Sequence, residues 1–198
     1  MKLYNFIIAI LKYPVKLLFR VKVEGKENEP DTPYIVYGNH SSYVDPVLVT
    51  VALKANPVWM GKRELMKYAF LRWIFKVTGS IPINREGLDT NALRKCLATV
   101  KEGNCLGIFP QGTRLRRIKP TPQQAHAGLA FIAAMAKATV LPVSIVTKRN
   151  QPGMFRKTKI IIHKPIHYEE YSSISNSPSK EEITEYLFSK VCEPFDSN

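Results

Sequence analysis

The feature that most constrains this chain is a regular alternation, from residue 33 onward, of short apolar runs with stretches of helical periodicity. Short apolar runs bounded by turn residues are typical of buried strands, and apolar residues spaced three and four apart are typical of helices. Strands and helices that alternate in this way characterise α/β proteins. We therefore predict α/β architecture: one domain with a central mixed sheet flanked by helices.

The predicted elements can be placed along the chain. We expect strands over residues 34–37, 58–60, 80–83, 105–109, 140–146 and 159–162. We expect helices over residues 64–77, 88–101, from about 121–124 to 138, and 179–191. A further helix opens at Asp45 as N-cap with Pro46 as its first residue. This leaves a loop over residues 39–44 after the first strand, and another over residues 171–179.

Length and composition set further limits. The 198 residues fit one globular domain, because chains divide only beyond roughly 250 residues. A hydrophobic fraction of 45% with 23% charged residues excludes disordered and collagen-like chains. Cys96, Cys105 and Cys192 have no metal-ligand spacing, which indicates a reducing compartment and no structural zinc.

Residues 1–23 form a distinct segment ahead of the domain at residues 24–198. Its longest unbroken apolar run, residues 6–11, is far shorter than the roughly 20 residues needed to cross a bilayer. Basic residues follow this run where a signal peptide would have a cleavage site. The segment has the pattern of an amphipathic helix, kinked at Pro14, that lies in the membrane interface. A helix that packs on the core is the alternative. In either case, the apolar residues of this segment at helical spacing are Leu3, Phe6, Ile7, Ile10, Leu11, Leu17, Leu18 and Phe19.

The chain is strongly basic. Twenty-nine Lys and Arg residues oppose sixteen Asp and Glu residues, which gives a net charge of +13. Such a charge attracts polyanions without identifying them. Nucleic acid, anionic lipid and phosphorylated substrates all remain open at this point.

The loop after the first predicted strand contains a candidate general base. His40 is followed five residues later by Asp45, and a turn can fold the carboxylate back onto the imidazole. The aspartate would hold a proton on one ring nitrogen and leave the other free to take a proton from a hydroxyl. The alternative is a structural histidine followed by a helix-capping aspartate.

Residues 109–114, Phe-Pro-Gln-Gly-Thr-Arg, follow another predicted strand. Gly112 allows close backbone approach, while Thr113 and Arg114 supply donors suited to a phosphate. Lys62 and Arg85 follow two further strands. Each of these features alone is also typical of an ordinary turn or a solvated surface charge.

The order of these motifs is more specific than any one of them. The His40 loop, Lys62, Arg85, the Phe-Pro-Gln-Gly-Thr-Arg turn and a Val-Leu-Pro-Val strand around Pro142 follow one another along the chain. Together they resemble the glycerophospholipid acyltransferase family, in particular its bacterial 1-acylglycerol-3-phosphate (lysophosphatidate) acyltransferases. The resemblance covers about residues 20–165.

The resemblance implies a mechanism. His40 would act as general base on the acceptor's free 2-hydroxyl, Asp45 would orient it, and the hydroxyl oxygen would attack the thioester of acyl-carrier protein or acyl-CoA directly. The product would be phosphatidate, made without a metal, a cofactor or an acyl-enzyme. An active site in the loop after the first central strand is expected.

The resemblance also assigns supporting residues. The acceptor phosphate would lie near Lys62, Arg85, Gly112, Thr113 and Arg114. Supporting positions in the motifs are Asn39, Gln111 and Pro142. Gln111 departs from the family, which commonly has Glu there, and His126 stands where a Lys is often found. Glutamine can still accept and donate hydrogen bonds.

The implied partners are lysophosphatidate, the thioester donor and anionic membrane lipid, with no nucleic acid, and the implied location is peripheral, on the cytoplasmic face of the cell membrane. Another lysophospholipid, glycerol 3-phosphate or an acylated amine as acceptor is the nearest alternative. A non-catalytic basic domain that binds membrane or nucleic acid is the alternative from another class.

Overall fold

The protein contains a mixed seven-stranded sheet with helices on both faces. The computed structural model describes residues 2–84 and 89–196. The strands are β1 (Val21–Glu24), β2 (Tyr34–Gly38), β3 (Val58–Lys62), β4 (Ile81–Ile83), β5 (Leu106–Ile108), β6 (Thr139–Val146) and β7 (Thr158–Ile162). The helices are α1 (Lys2–Leu18), α2 (Asp45–Ala52), α3 (Ala69–Thr78), α4 (Thr90–Lys101), α5 (Gly128–Ala136), α6 (Tyr168–Ser172) and α7 (Lys180–Asp196). The predicted α/β class with a mixed sheet is confirmed.

The strand order places the ends of several strands at one edge of the sheet. The order is β1-β7-β6-β2-β5-β3-β4. Neighbouring strands are parallel except for β6 and β7. Because β2, β3, β4 and β5 run in the same direction, the loops that follow them meet at their shared carboxyl edge. The predicted His40 loop and the turn at residues 109–114 are two of these loops.

The core lies on both faces of the sheet. On β2, Ile35 and Tyr37 belong to the cluster under α4, α5 and α7, whereas Tyr34 and Val36 belong to the cluster under α1 and α2. A strand covered on both faces needs apolar residues at every position. This explains why the sequence shows continuous apolar runs rather than strict alternation.

Three predicted elements differ from the structure. The helix expected over residues 64–77 is a 3-10 turn, Arg63–Lys67, and the separate helix α3. Between them Tyr68 is extended, with φ −85° and ψ 121°. The closing helix continues to Asp196, five residues further than predicted, and α6 occupies part of the expected loop at residues 171–179. Apolar spacing indicates that a helix forms, but it does not locate the bend or the end.

The predicted capping role of Asp45 is wrong. Val44 occupies the N-cap position of α2, and Asp45 is the first helical residue. The carboxylate of Asp45 turns back toward the preceding loop instead of bonding to the amides of its own helix. The charge that sequence alone would assign to helix capping is therefore available to His40.

The N-terminal segment is part helix and part sheet. Helix α1 ends at Leu18, and Val21–Glu24 forms edge strand β1 against β7, so the sheet already begins within residues 1–23. The Tyr4 hydroxyl donates to the carbonyl of Pro57 at 3.2 Å, and the Phe155 amide donates to the carbonyl of Leu18 at 2.6 Å. Pro14 lies inside α1. Within the described residues, no helix combines the length and apolarity that a membrane crossing requires.

Candidate active site

The centre of the candidate site is the turn that joins β2 to α2. Nδ1 of His40 lies 2.8 Å from Oδ2 of Asp45. The same carboxylate oxygen accepts hydrogen bonds from the amides of Ser41 at 2.6 Å and Ser42 at 2.7 Å. The Asp45 side chain is 0% exposed and that of His40 is 14% exposed. One carboxylate therefore closes the turn and holds the imidazole.

The hydrogen bonds determine which ring nitrogen of His40 is available. An ionised carboxylate oxygen can only accept, so the proton at this contact belongs to Nδ1 of His40. In the neutral ring, Nε2 then carries the lone pair. A histidine in this tautomer can remove a proton from a hydroxyl that approaches Nε2.

Aromatic stacking fixes the plane of the imidazole. The His40 ring stacks on Phe109 with centroids 4.3 Å apart and planes 12° apart. Phe109 in turn stacks on Trp59 at 4.8 Å and 11°. The Trp59 indole donates to the Thr50 hydroxyl at 2.9 Å. No local pattern predicts a role for Phe109 or Trp59, although Phe109 opens the Phe-Pro-Gln-Gly-Thr-Arg motif.

Two buried amides hold the main chain around His40. Asn39 bonds to both backbone groups of Ile145, donating to the carbonyl at 3.1 Å and accepting from the amide at 2.7 Å. Gln111 accepts from the His40 amide at 2.6 Å and donates to Gln124 at 2.8 Å. A glutamate at 111 could accept from His40 but could not donate to Gln124. Gln111 therefore has a structural role that uses both ends of its amide.

The turn after β5 lies directly beside the His40 loop. The Leu115 amide donates a hydrogen bond to the His40 carbonyl at 2.9 Å. Gly112 has φ +64°, and a Cβ there would lie 3.1 Å from the His126 ring. Glycine suits this left-handed, crowded position. Thr113 is exposed.

Arg114 is held over an aromatic ring. Its guanidinium carbon lies 3.3 Å from the centroid of the Tyr43 ring, a cation–π contact that positions the group. Among the described residues, the buried nitrogen Nη1 of Arg114 has no hydrogen-bond partner. A donor without a partner, next to the His40 loop, is suited to a ligand oxygen.

Lys62 and Pro142, two further predicted site residues, make contacts with other parts of the sheet. Lys62 is the last residue of β3, at the same sheet edge, and its ammonium lies 3.2 Å from Glu64. Pro142 is buried in β6 opposite Tyr37. Its carbonyl accepts from the His163 amide at 3.0 Å, which is a structural contact. Arg85 lies outside the described residues.

Arg63 and Asp89 connect β3 to the start of α4 at this edge. The Arg63 guanidinium lies 2.6 Å from the Asp89 carboxylate. Hydrogen bonds from the amides of Asn84 and Ala92, together with the charge of Arg63, lower the pKa of Asp89. Asp89 thus caps α4 and binds Arg63.

The remaining histidines have other surroundings. His126 is exposed, and His167 contacts the Thr139 hydroxyl at 3.2 Å. Nε2 of His163 lies 2.7 Å from the Ser144 hydroxyl, which donates its own proton to the Val191 carbonyl at 2.7 Å. His163 must therefore donate to Ser144 and cannot activate it as a nucleophile.

Among the described residues, metal-ligating side chains and the thiols of Cys96 and Cys192 form no second centre. Over residues 2–84 and 89–196, no three or more His, Cys, Asp or Glu side chains are grouped so that they could hold a metal ion. Cys96, Cys105 and Cys192 are free. Burial raises the pKa of the Cys96 and Cys192 thiols to about 12, so neither is a reactive thiolate at neutral pH.

Comparisons with known proteins agree with this geometry. The family model described as Acyltransferase matches residues 20–146. The 1-acyl-sn-glycerol-3-phosphate acyltransferase of Bacillus subtilis is 30% identical, over 96% of this chain and 96% of its own length. The chloroplastic 1-acyl-sn-glycerol-3-phosphate acyltransferase LPAT1 of Arabidopsis thaliana is 26% identical, over 88% of this chain and 52% of its own length.

A solved structure shows the same likeness in three dimensions. The 1-acyl-sn-glycerophosphate acyltransferase PlsC of Thermotoga maritima superposes with a TM-score of 0.76 and 25% identity, over 98% of this chain and 80% of that one. The matched family region includes β2, the His40 turn, and the Gly112 and Arg114 turn beside it. Its sequence match covers well over half of the chain, and this protein belongs to the acyltransferase family.

Proposed function

We propose that this protein transfers an acyl chain from a thioester, acyl-carrier protein or acyl-CoA, to the free 2-hydroxyl of 1-acylglycerol 3-phosphate, which yields phosphatidate. The observation that carries the proposal is the His40 and Asp45 pair, in which the 2.8 Å contact at Nδ1 leaves Nε2 free to act as a base. The acceptor is the one in the names of the relatives from Bacillus subtilis and Arabidopsis thaliana.

The proposed reaction proceeds by direct attack. Nε2 of His40 removes the hydroxyl proton as the acceptor oxygen bonds to the thioester carbonyl carbon. Asp45 stabilises the imidazolium that forms. When the tetrahedral intermediate collapses, the carbon–sulfur bond breaks and the proton on Nε2 passes to the leaving sulfur. The products are an ester and a free thiol, with no cofactor, metal ion or acyl-enzyme in the sequence of steps.

The phosphate of the acceptor is assigned to the turn after β5. The guanidinium of Arg114 can give two parallel hydrogen bonds to phosphate oxygens, and its Nη1 has no partner among the described residues. Gly112 lets the backbone approach closely, and Thr113 supplies an exposed hydroxyl. Lys62, at the same edge, and Arg85 complete the proposed cationic surroundings.

Helix α1 provides the proposed membrane contact. Leu3, Phe6, Ile10, Tyr13 and Leu17, one face of the helix, are exposed by 55%, 63%, 57%, 80% and 80%. We call these five residues the apolar stripe. A helix that only packs on a core would bury such a face. A stripe flanked by lysines suits the interface of an anionic membrane, where the acceptor resides. We place the protein there peripherally, on the cytoplasmic face.

The test measures release of free thiol from acyl-carrier protein or acyl-CoA by the purified protein with lysophosphatidate in detergent micelles. His40→Ala removes the base, so we expect turnover to fall by about 10²–10⁴-fold. His167→Ala, at an exposed histidine away from the site, is the matched control and should retain turnover. Wild-type turnover in His40→Ala would contradict the mechanism.

The same assay tests the acceptor. Arg114→Ala should raise KM for lysophosphatidate more than it lowers kcat, because the group contacts a phosphate that does not react. Glycerol 3-phosphate and a lysophospholipid with a larger head group serve as competing acceptors. A clear preference for either would retain acyl transfer but contradict the proposed acceptor.

A further inference from the structure

A basic groove lies at the far end of α2 from His40. It is an open cavity of about 360 Å³ between α1, the 3-10 turn Lys26–Asn28 and the end of α2. Its walls include Lys12, Lys16, Lys26 and Lys54, with Tyr13 and Leu53 between them. We call it the lysine groove. Asp45 begins α2 and Leu53 follows its last residue, so the groove is separate from the candidate active site.

The lysine groove has little negative charge of its own. Lys54 lies 3.5 Å from Asp31, and both side chains are exposed. Elsewhere in the part of the chain that the structure describes, no carboxylate forms an ion pair with Lys12, Lys16 or Lys26. Four cations thus converge on a cavity in which, among the described residues, only Lys54 has an ion pair, and that pair is exposed.

The nearby buried carboxylate of Glu29 is not available to these lysines. It accepts hydrogen bonds from the Tyr34 hydroxyl at 2.6 Å and from the backbone amides of Lys54 and Ala55. Burial, together with the charges of Lys12 and Lys26, lowers the pKa of Lys16. Mutual repulsion of this kind is relieved when an anion binds.

We propose that the lysine groove binds the phosphate of an anionic phospholipid head group in the membrane on which α1 lies. The inference rests on the proposed function in one respect, since it takes the apolar stripe to be the membrane contact. Lys12 and Lys16 are on the same helix as the stripe, and Tyr13 belongs to both the stripe and the groove.

The geometry favours a lipid over a soluble phosphate. Lysine side chains extend along apolar surface and keep their ammonium groups at the polar boundary. When the apolar stripe enters the acyl region, the groove beside Tyr13 is brought to the level of the head groups. A head group can then occupy the groove while its chains remain in the membrane.

The test compares two charge-matched double variants of the full chain. Lys12→Gln/Lys16→Gln removes two charges from the groove. Lys95→Gln/Lys101→Gln removes two exposed charges from α4, on the opposite face of the sheet. Binding is measured by flotation with vesicles of phosphatidylcholine and with vesicles that contain equal amounts of phosphatidylcholine and phosphatidylglycerol.

On the anionic vesicles we expect the groove variant to bind about 30-fold more weakly than wild type, since each lysine near such a surface contributes about 1 kcal/mol. The α4 variant should lose about 2-fold or less. Lys12→Arg/Lys16→Arg keeps the charge and should restore binding. All variants should bind neutral vesicles as the wild type does.

Several outcomes would overturn the inference. Equal losses in the two glutamine variants would mean that only net charge matters. Equal binding of wild type and groove variant to anionic vesicles would mean that the groove takes no lipid. Calorimetric binding of inorganic phosphate that is abolished in the groove variant, with vesicle binding unchanged, would make it a site for soluble phosphate.

The proposed function can fail separately. Thiol release in detergent micelles requires neither the groove nor a charged vesicle, so Lys12→Gln/Lys16→Gln should match wild type there. If wild type releases no thiol but the vesicle results hold, the proposed reaction fails and the groove remains. If thiol release is normal but the variants bind vesicles alike, the groove inference fails alone.

Discussion

The turn around His40 buries polar side chains, whereas the surface of α1 exposes apolar ones. In the turn, the carboxylate of Asp45 and the amides of Asn39 and Gln111 are buried. On α1, the apolar stripe faces outward, and the lysines beside it lack carboxylate partners among the described residues. Both regions depart from the rule that apolar groups are inside and charged groups outside.

The two regions differ in whether the domain itself supplies contacts to these unusually placed side chains. A buried carboxylate is destabilising unless it receives hydrogen bonds, and Oδ2 of Asp45 receives three within six residues of chain. The described residues of the domain leave the apolar stripe exposed. A contiguous exposed apolar surface indicates a partner outside the chain. Among the described residues, Oδ1 of Asp45 and Nη1 of Arg114 are buried without a hydrogen-bond partner. The domain itself thus supplies most of the contacts of the first region, whereas the proposed partner of the second region is a membrane.

Asp45→Asn should have the largest effect on the His40 turn. An amide can still accept from Ser41 and Ser42 but lacks the charge that stabilises the imidazolium, so turnover should fall by about 10²–10⁴-fold. The measurement is kcat from thiol release in micelles, with a thermal melt to show that the variant is folded. Asp31→Asn, at a fully exposed carboxylate, is the control and should retain kcat. Wild-type kcat in Asp45→Asn would remove Asp45 from the mechanism.

Phe6→Ser/Leu17→Ser tests the second region. Because both side chains are mostly exposed, the unfolding free energy should change by no more than about 0.5 kcal/mol. Vesicle binding should fall by about 10–100-fold, since each side chain loses a favourable transfer into lipid.

Met135→Ser, at an exposed apolar residue of α5, is the control for that experiment and should bind vesicles as wild type does. A large loss of thermal stability in Phe6→Ser/Leu17→Ser would show that the stripe is packed in solution. It would then no longer contrast with the His40 turn.

His163 can be compared with His40, because it is a half-buried imidazole outside the proposed site. Burial lowers its pKa, so the unfolded chain binds a proton at a higher pH than the folded chain does. The free energy of unfolding should therefore fall as the pH is lowered through about 6.5, the pKa of an unperturbed histidine. His163→Gln cannot titrate and should flatten this fall.

Urea unfolding at several pH values measures that effect, which we expect to be the smallest of the three. Turnover of His163→Gln at neutral pH should match wild type if His163 is only structural. An unchanged pH slope in the variant would show that another group is responsible, and a large loss of turnover would extend the site to β6 and β7.

The parts of the fold that were predictable depend on local pattern. The apolar runs of β2, β5 and β6 could be recognised because strands covered on both faces are apolar throughout. Strand β1 was missed because its four residues, Val21–Glu24, alternate with charges and continue a basic helix in sequence. The break at Tyr68 was missed because apolar spacing persists across it.

The candidate site likewise has contacts that the sequence predicts and contacts that it does not. The contact between His40 and Asp45 spans five residues, so a single turn can make it and the sequence predicts it. The capping interpretation of Asp45 failed because the same carboxylate could serve either neighbour, and only the backbone of residues 41–45 decides between them. The stack of His40, Phe109 and Trp59 joins the turns after β2 and β5 to strand β3 and has no local signal.

By itself, the sequence determined the α/β class, the turn that carries the proposed base, and the amphipathic N-terminal helix, since each depends on residues a few positions apart. The tertiary structure alone decided that Gln111 holds the amide of His40 across 71 residues, that Asn39 bonds to Ile145 across 106, and that four lysines meet in one groove. Such contacts depend on the order of strands in the sheet, and chain spacing does not specify that order because loop length places only weak limits on which strands become neighbours.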